Sequence, residues 1–249
     1  MKSYHSTIVE KPAITAEARE IGPNLFVPRS AAFGSDRRIA VGFLSWRRDG
    51  KDNGPNVYAG NAIFRELIQD DDGTLTTRMV SEMMPTTGPP IQWQITSKSP
   101  NVAIDSGRSL ILESPDGIAA ARINGVPADC TISLRFIPND NTGEYGVLLR
   151  MDERMERGYR LIFIPHQKRM RLERWPEAYN KPGATIYGVD GLDEPTDVVI
   201  CMKESIIDVC VNNQRTLVER FHERRGSSLG IFTRAGKTRV EGLTISPII

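Results

Sequence analysis

The chain is poor in the residues that carry most protein chemistry, with three cysteines and three histidines among 249 residues. Cys130, Cys201 and Cys210 are too few and too scattered for a disulfide framework or a thiolate zinc site. His5, His166 and His222 stand far apart, and no serine or cysteine sits in a nucleophile elbow, so a hydrolase triad finds no support. The expectation is a protein with neither metal nor cofactor. Long apolar runs are missing too: none approaches the roughly 20 residues that span a bilayer, so no membrane partner is expected. The opening stretch, MKSYHSTIVEKPAIT, lacks the continuous apolar segment of a secretory signal. A reducing, cytoplasmic setting is therefore the default, with an extracellular one open if the chain is a fragment.

Charge of one sign is also scarce. The 32 basic and 31 acidic residues leave a formal charge of +1. That balance gives no footprint for nucleic acid, whose binding leans on clustered Lys and Arg, and none for an acidic membrane. Neutral ligands suit it better than polyanions. Helical periodicity is nearly absent; TAEAREI, near the start, offers one helical turn at most.

What is present is a succession of short alternating or apolar runs, broken by turn residues about every 8–12 positions, which reads as an all-β sandwich or barrel. Residues 1–85 contain NLFVPRSAAF, the turn Gly34-Ser35-Asp36 and RRIAVGFLSW, a hairpin. The polar loop RRDGKDNGPN, the strand AGNAIFRELIQ and the tight turn at Asp71-Asp72-Gly73 into TLTTRMV follow. PTTGPP at 85–90 is the best boundary, because its three prolines oppose ladder bonding and stiffen the chain.

Residues 86–249 then carry at least ten strand candidates, among them SLILES, GIAAARI, SLGIFTR and VEGLTIS. Pairing DVVICMKE with IIDVCVNN about a turn at Ser205-Ile206 puts Val198, Ile200, Met202, Ile207, Val209 and Val211 on one face. The opposite face then sets Lys203 across from Asp208 and Cys201 across from Cys210, read as reduced structural neighbours.

Several of these segments resemble a known family. IIDVCVNNQRTLVERFHERRGSSLGIFTRAGKTRVEGLTI is similar to the end of the C-terminal β-sandwich of glycoside hydrolase family 32, the invertase, levanase and inulinase group. IGPNLFVPRSAAFGSDRRIAVGFLSW followed by AGNAIFRELIQDDDGTL resembles the closing strands of that family's β-propeller, with Phe43 where the family usually has Trp and Trp46 just beyond. The resemblance implies a concanavalin-like antiparallel sandwich preceded by a partial propeller blade, and a carbohydrate partner of fructan or sucrose-like type.

The family's catalytic machinery is what the chain does not show. Retaining glycosidases need two carboxyl groups about 5–5.5 Å apart. In family 32 they lie on Asn-Asp-Pro-Asn and Glu-Cys segments, with an Arg-Asp-Pro aspartate between them, and none of the three motifs occurs. PNDNTG at 138–143 matches the first only in composition and reads as a hairpin turn; RRDG at 47–50 has Gly50 in place of the proline. No catalytic residue is assigned. Asp49, Asp52 and Glu66 would approach a propeller funnel only if the missing blades were restored, and MDERMERG at 151–158 reads as a solvated loop.

Sugar-binding surfaces combine an aromatic face with hydrogen-bonding groups, which singles out Trp46, Asp49, Trp175 and Tyr179, with Trp93 and Tyr187 behind them. Two functions from different classes stay open. One is a non-catalytic C-terminal part of a family 32-like hydrolase, homo-oligomerising through the apolar surface of its N-terminal region. The other is a self-sufficient, lectin-like sandwich. An enzyme with an unrecognised acid pair is the weakest third reading.

Overall fold

The computed structural model describes residues 24–105, 109–176 and 183–249, so the helical turn expected in TAEAREI lies outside it. Four strands form an antiparallel meander: β1 (Phe26–Phe33), β2 (Arg37–Arg47), β3 (Asn56–Gln69) and β4 (Leu75–Arg78). Gly34 at φ 67° and Gly73 at φ 88° supply the left-handed turns that the sequence marked. The Asp70–Thr74 turn is closed by its own backbone hydrogen bonds, at 2.8 and 2.9 Å.

The remaining strands build one continuous, folded-over sheet. They are β5 (Ile95–Lys98), β6 (Val102–Ile104), β7 (Leu110–Ile123), β8 (Cys130–Pro138), β9 (Glu144–Met151) and β10 (Gly158–Ile164). There follow β11 (Arg169–Trp175), β12 (Ala184–Ile186), β13 (Thr196–Lys203), β14 (Ile206–Val211), β15 (Arg215–Arg220) and β16 (Ser228–Pro247). The twenty-residue β16 is the spine. Its first part, 228–234, pairs with β9, its last part with β8, and β7 follows it along the other edge. Ala235, at φ 51°, sits in the bulge where the two parts meet, and bulges bend the strand that carries them. One limb therefore runs β16-β9-β10-β11-β12 and the other β16-β8-β13-β14-β15.

The space between the limbs is sealed by apolar side chains. Phe136, Tyr145 and Phe163 form an aromatic triad with centroids 4.9–5.9 Å apart, amid Ile132, Leu161, Ile200, Val209 and Leu217, all fully buried. Each such side chain contributes roughly 1.5–3 kcal/mol. The buried Tyr145 hydroxyl donates to the Leu192 carbonyl at 2.7 Å, so no polar group is wasted there.

Four expectations need correction. SLILES and GIAAARI are one strand, β7, and SLGIFTR and VEGLTIS are one strand, β16: the glycines between them mark bulges, not turns. PNDNTG is a loop but not a hairpin turn, because β8 and β9 pair with different parts of β16 and the loop crosses between limbs. The proline-rich segment does bond to the ladder, through its other residues. Gly88 N–H donates to the Pro247 carbonyl at 2.8 Å, and the Thr86 carbonyl accepts from the Ile249 N–H at 3.1 Å.

The last concerns the β13–β14 hairpin. All six expected apolar residues point into the core, but Cys201 pairs with Asp208, Val199 with Cys210 and Lys203 with Ile206. The turn falls at Glu204-Ser205, with Glu204 at φ 51°, which moves the register by two. An even slip leaves every side chain on its own face. All three cysteines are free thiols, and burial pushes Cys201 up to about 11 and Cys130 up to about 12.

Candidate functional site

The four-stranded sheet lies across the outward face of β14 and β15. That face carries Ile206, Asp208, Cys210, Thr216, Val218 and Arg220, which alternate with the core residues of the same strands. Leu25, Leu44 and Ile63 of the sheet close a small apolar cluster with Val218 and Ile206. Around it the contact is made by arginines. Arg65 holds Asp208 through two hydrogen bonds of 2.6 and 2.9 Å; burial raises the Asp208 carboxyl and the guanidinium counters it. Arg47 bonds Glu219 at 2.9 Å, and Thr77 and Thr216 share a hydroxyl contact of 2.9 Å.

Arg220, 1% exposed, crosses furthest. It donates to the carbonyls of Ser45 and Leu44, to the Ser205 hydroxyl and to Asn61 Oδ1, at 2.5–3.2 Å. Its guanidinium also lies 4.0 Å from the centroid of the Trp46 ring. Trp46 is thereby pinned at the junction while 45% of it stays open to solvent. His222 stacks beside it at 6.3 Å, and burial, followed by the Arg220 charge, lowers His222 from its ordinary value.

Asp52 ties this corner to the end of the sandwich. It accepts hydrogen bonds from the backbone N–H of His222 at 2.5 Å, from that of Glu223 at 3.2 Å and from the Tyr159 hydroxyl at 2.9 Å. The Tyr159 ring stacks on Phe221 at 4.0 Å, and its oxygen accepts from the Arg224 N–H. Arg224 in turn donates to the Trp175 carbonyl. Segment 220–226 is thus the hub joining Trp46, Asp52, Tyr159 and Trp175.

Of the four site candidates, Trp46 borders that hub with an open ring. Asp49 lies on the exposed 3-10 turn Arg48–Gly50 at φ 58°, three residues from Asp52. Trp175 closes β11, half-buried, with Arg160 over its ring at 4.7 Å. Tyr179 lies outside the described residues. Asp52 and Glu66 do not form an acid pair: Asp52 is a backbone and tyrosine acceptor, and Glu66 is clasped by Arg37 and Arg78. Among the described residues no group of three His, Cys, Asp or Glu could hold a metal ion. Arg220, His222, Arg224 and Tyr159 escaped sequence reasoning; ERFHERR after a strand, charged residues around an aromatic pair, was the signal available.

Among the described residues nothing covers the sheet's other face, where the Arg37–Glu66–Arg78 network sits beside apolar side chains. Register places Phe26, Phe33, Ile39, Val41, Phe43 and Phe64 on this face, with Tyr58 edge-on to Phe43 at 5.1 Å. Phe33, Val41 and Tyr58 are 50%, 37% and 84% exposed. An antiparallel sheet with one solvated face ordinarily presents polar residues there.

An all-β sandwich carrying a second, externally laid sheet is the class that these features define. The sequence matches no known family model and no curated protein. In fold the chain is similar to the exo-inulinase of Aspergillus awamori, with a TM-score of 0.62 and 12% identity over 92% of this chain and 44% of that one. A glycoside hydrolase family 32 structure from Bifidobacterium adolescentis scores 0.55 at 16% identity, covering 91% of this chain and 32% of that one. Fructan 1-exohydrolase IIa of Cichorium intybus scores 0.52 at 10% identity, covering 96% and 52%. The resemblance to family 32 structures, including their C-terminal β-sandwich, thus extends over both sheets. The chain spans about half or less of the length of these structures.

Proposed function

We propose that this chain is a non-catalytic C-terminal unit of a family 32-like glycoside hydrolase, in which the four-stranded sheet is the outermost part of a propeller. The observation that carries the reading is the asymmetry of that sheet. One face is fastened to the sandwich by Arg65, Arg47 and Arg220, and the other presents contiguous aromatic and aliphatic side chains to solvent. A contiguous apolar surface of this kind marks an interaction site. Further propeller strands are its natural cover.

Carbohydrate contact belongs to the Trp46 corner, where a half-open indole fixed from one side by Arg220 stands beside His222, with Asp49 on the exposed turn that follows its strand. The test is thermal-shift binding with sucrose, inulin and levan on the wild type and on Trp46→Ala. A saturable shift that Trp46→Ala abolishes supports contact at that corner. A shift that survives the substitution removes the corner from the account.

The self-sufficient, lectin-like reading is favoured by one observation: the sheet's inner face is bonded to β14–β15 at several points, by Arg65, Thr77 and Arg220. The uncovered outer face separates the readings. A lectin-like protein leaves it free at all concentrations, whereas a propeller remnant buries it against another chain.

A further inference from the structure

Next to the hub, at the end of the sandwich, lies a cleft of about 500 Å³ lined by Arg150, Asp152, Arg157, Arg174, Glu223, Arg224, Arg225 and Gly226. Five guanidinium groups face two carboxylates, a local excess of positive charge in a chain that is otherwise balanced. The two carboxylates only partly offset the cluster. Glu223 pairs with Arg174 at 3.3 Å, and Asp152 accepts the Glu156 backbone N–H at 2.9 Å. Arg157 and Arg225 form no ion pair among the described residues.

Arg150 is the telling member. It is 3% exposed, at the end of β9, yet its Nε and one terminal nitrogen have no hydrogen-bond partner. Its remaining nitrogen reaches the Ala128 carbonyl at 3.2 Å and the half-exposed Asp129 carboxylate only at 3.9 Å. A buried guanidinium with unused donors is costly unless an anion completes it. Burial lowers Arg150 and Arg224 from their ordinary values, and neighbouring arginines push the same way: Arg225 on the first, Arg174 and Arg157 on the second.

We infer that this cleft binds a small tetrahedral oxyanion, either free phosphate or the phosphate ester of a small sugar, with Arg150 in its lining and the exposed Arg157 and Arg225 at its rim. Guanidinium forks match the paired oxygens of such groups, and the volume lies within the range of small-molecule sites. The inference does not rest on the hydrolase-like reading above, because it uses none of the same side chains.

Calorimetric titration of the full chain with inorganic phosphate, a hexose 6-phosphate, sulfate and the unphosphorylated hexose tests it. Saturable binding of phosphate or its ester is expected, with none of the bare hexose. The exposed pair Arg157→Ala/Arg225→Ala, which carries little folding risk, should weaken binding by about tenfold or more. Arg150→Met should weaken it further, and the distant Lys168→Ala should leave it unchanged. Tighter binding of the ester than of phosphate identifies an esterified ligand; equal binding identifies free phosphate. The site is overturned if no anion binds saturably, if the double variant binds as the wild type does, or if Lys168→Ala weakens binding equally.

Discussion

The sandwich and the four-stranded sheet solve the same problem in opposite ways. The sandwich turns its main apolar strand faces inward by bending β7 and β16 about their bulges, so one sheet covers itself. The sheet has no such partner within the described residues. It attaches one face through three arginines around a small apolar cluster and leaves the other uncovered. Apolar packing supplies stability without direction, whereas the arginine bonds fix one registration of sheet on sandwich. On the proposed reading, the sandwich is the structural base and the sheet the part that meets further propeller strands.

The largest effect should come from the base. Phe163→Ala, in the fully buried aromatic triad, is expected to cost about 3–5 kcal/mol of unfolding free energy by denaturant titration. A loss below about 1 kcal/mol would show that the limbs do not depend on their shared core. Arg220→Ala removes a buried cation and leaves the Ser205, Asn61 and carbonyl partners unanswered. About 3 kcal/mol is expected, but located differently: hydrogen exchange should accelerate over 26–78 while β7–β11 stay protected. Uniform acceleration would erase the distinction between base and attachment.

How much of this was legible in the sequence follows the same division. Alternation gave the strands, and the six apolar residues of β13–β14 face the core as their spacing required. Their register was not legible, because a shift of two preserves every face and only the position of the Glu204-Ser205 turn decides it. Continuity of β7 and β16 was hidden because glycines at bulges read like glycines at turns. Trp46 was visible as an aromatic at a strand end. Its fixing by Arg220 joins residues far apart in sequence, and no local pattern encodes that. The arginine cleft was invisible for a related reason: its members come from three separate stretches, and overall charge balance conceals a local excess.

Acid should loosen the four-stranded sheet itself with a defined sign, because Glu66, Arg37 and Arg78 all belong to it. Arg78 and Arg37 hold the Glu66 carboxyl down to about 2, below its ordinary value of 4.5. Its stabilisation is therefore complete above about pH 4.5 and lost as pH falls towards 2. His222, lowered by burial, adds a loss that begins once pH drops below its ordinary 6.5. Glu66→Gln should flatten the acid limb of a stability-against-pH curve, and an unchanged limb would exclude Glu66 as its source. The smallest effect belongs to the uncovered face. Val41→Thr/Tyr58→Ser should change stability by no more than about 0.5 kcal/mol while reducing any concentration-dependent association seen by sedimentation. A clearly larger loss of stability would mean that the face is already packed.

The proposal of a non-catalytic C-terminal unit of a family 32-like hydrolase is tested most directly by a turnover assay. Purified protein incubated with sucrose, inulin, levan and a panel of aryl glycosides should release no sugar. Release that disappears when one carboxylate, Asp49, Asp52 or Glu66, is changed to its amide would contradict the account.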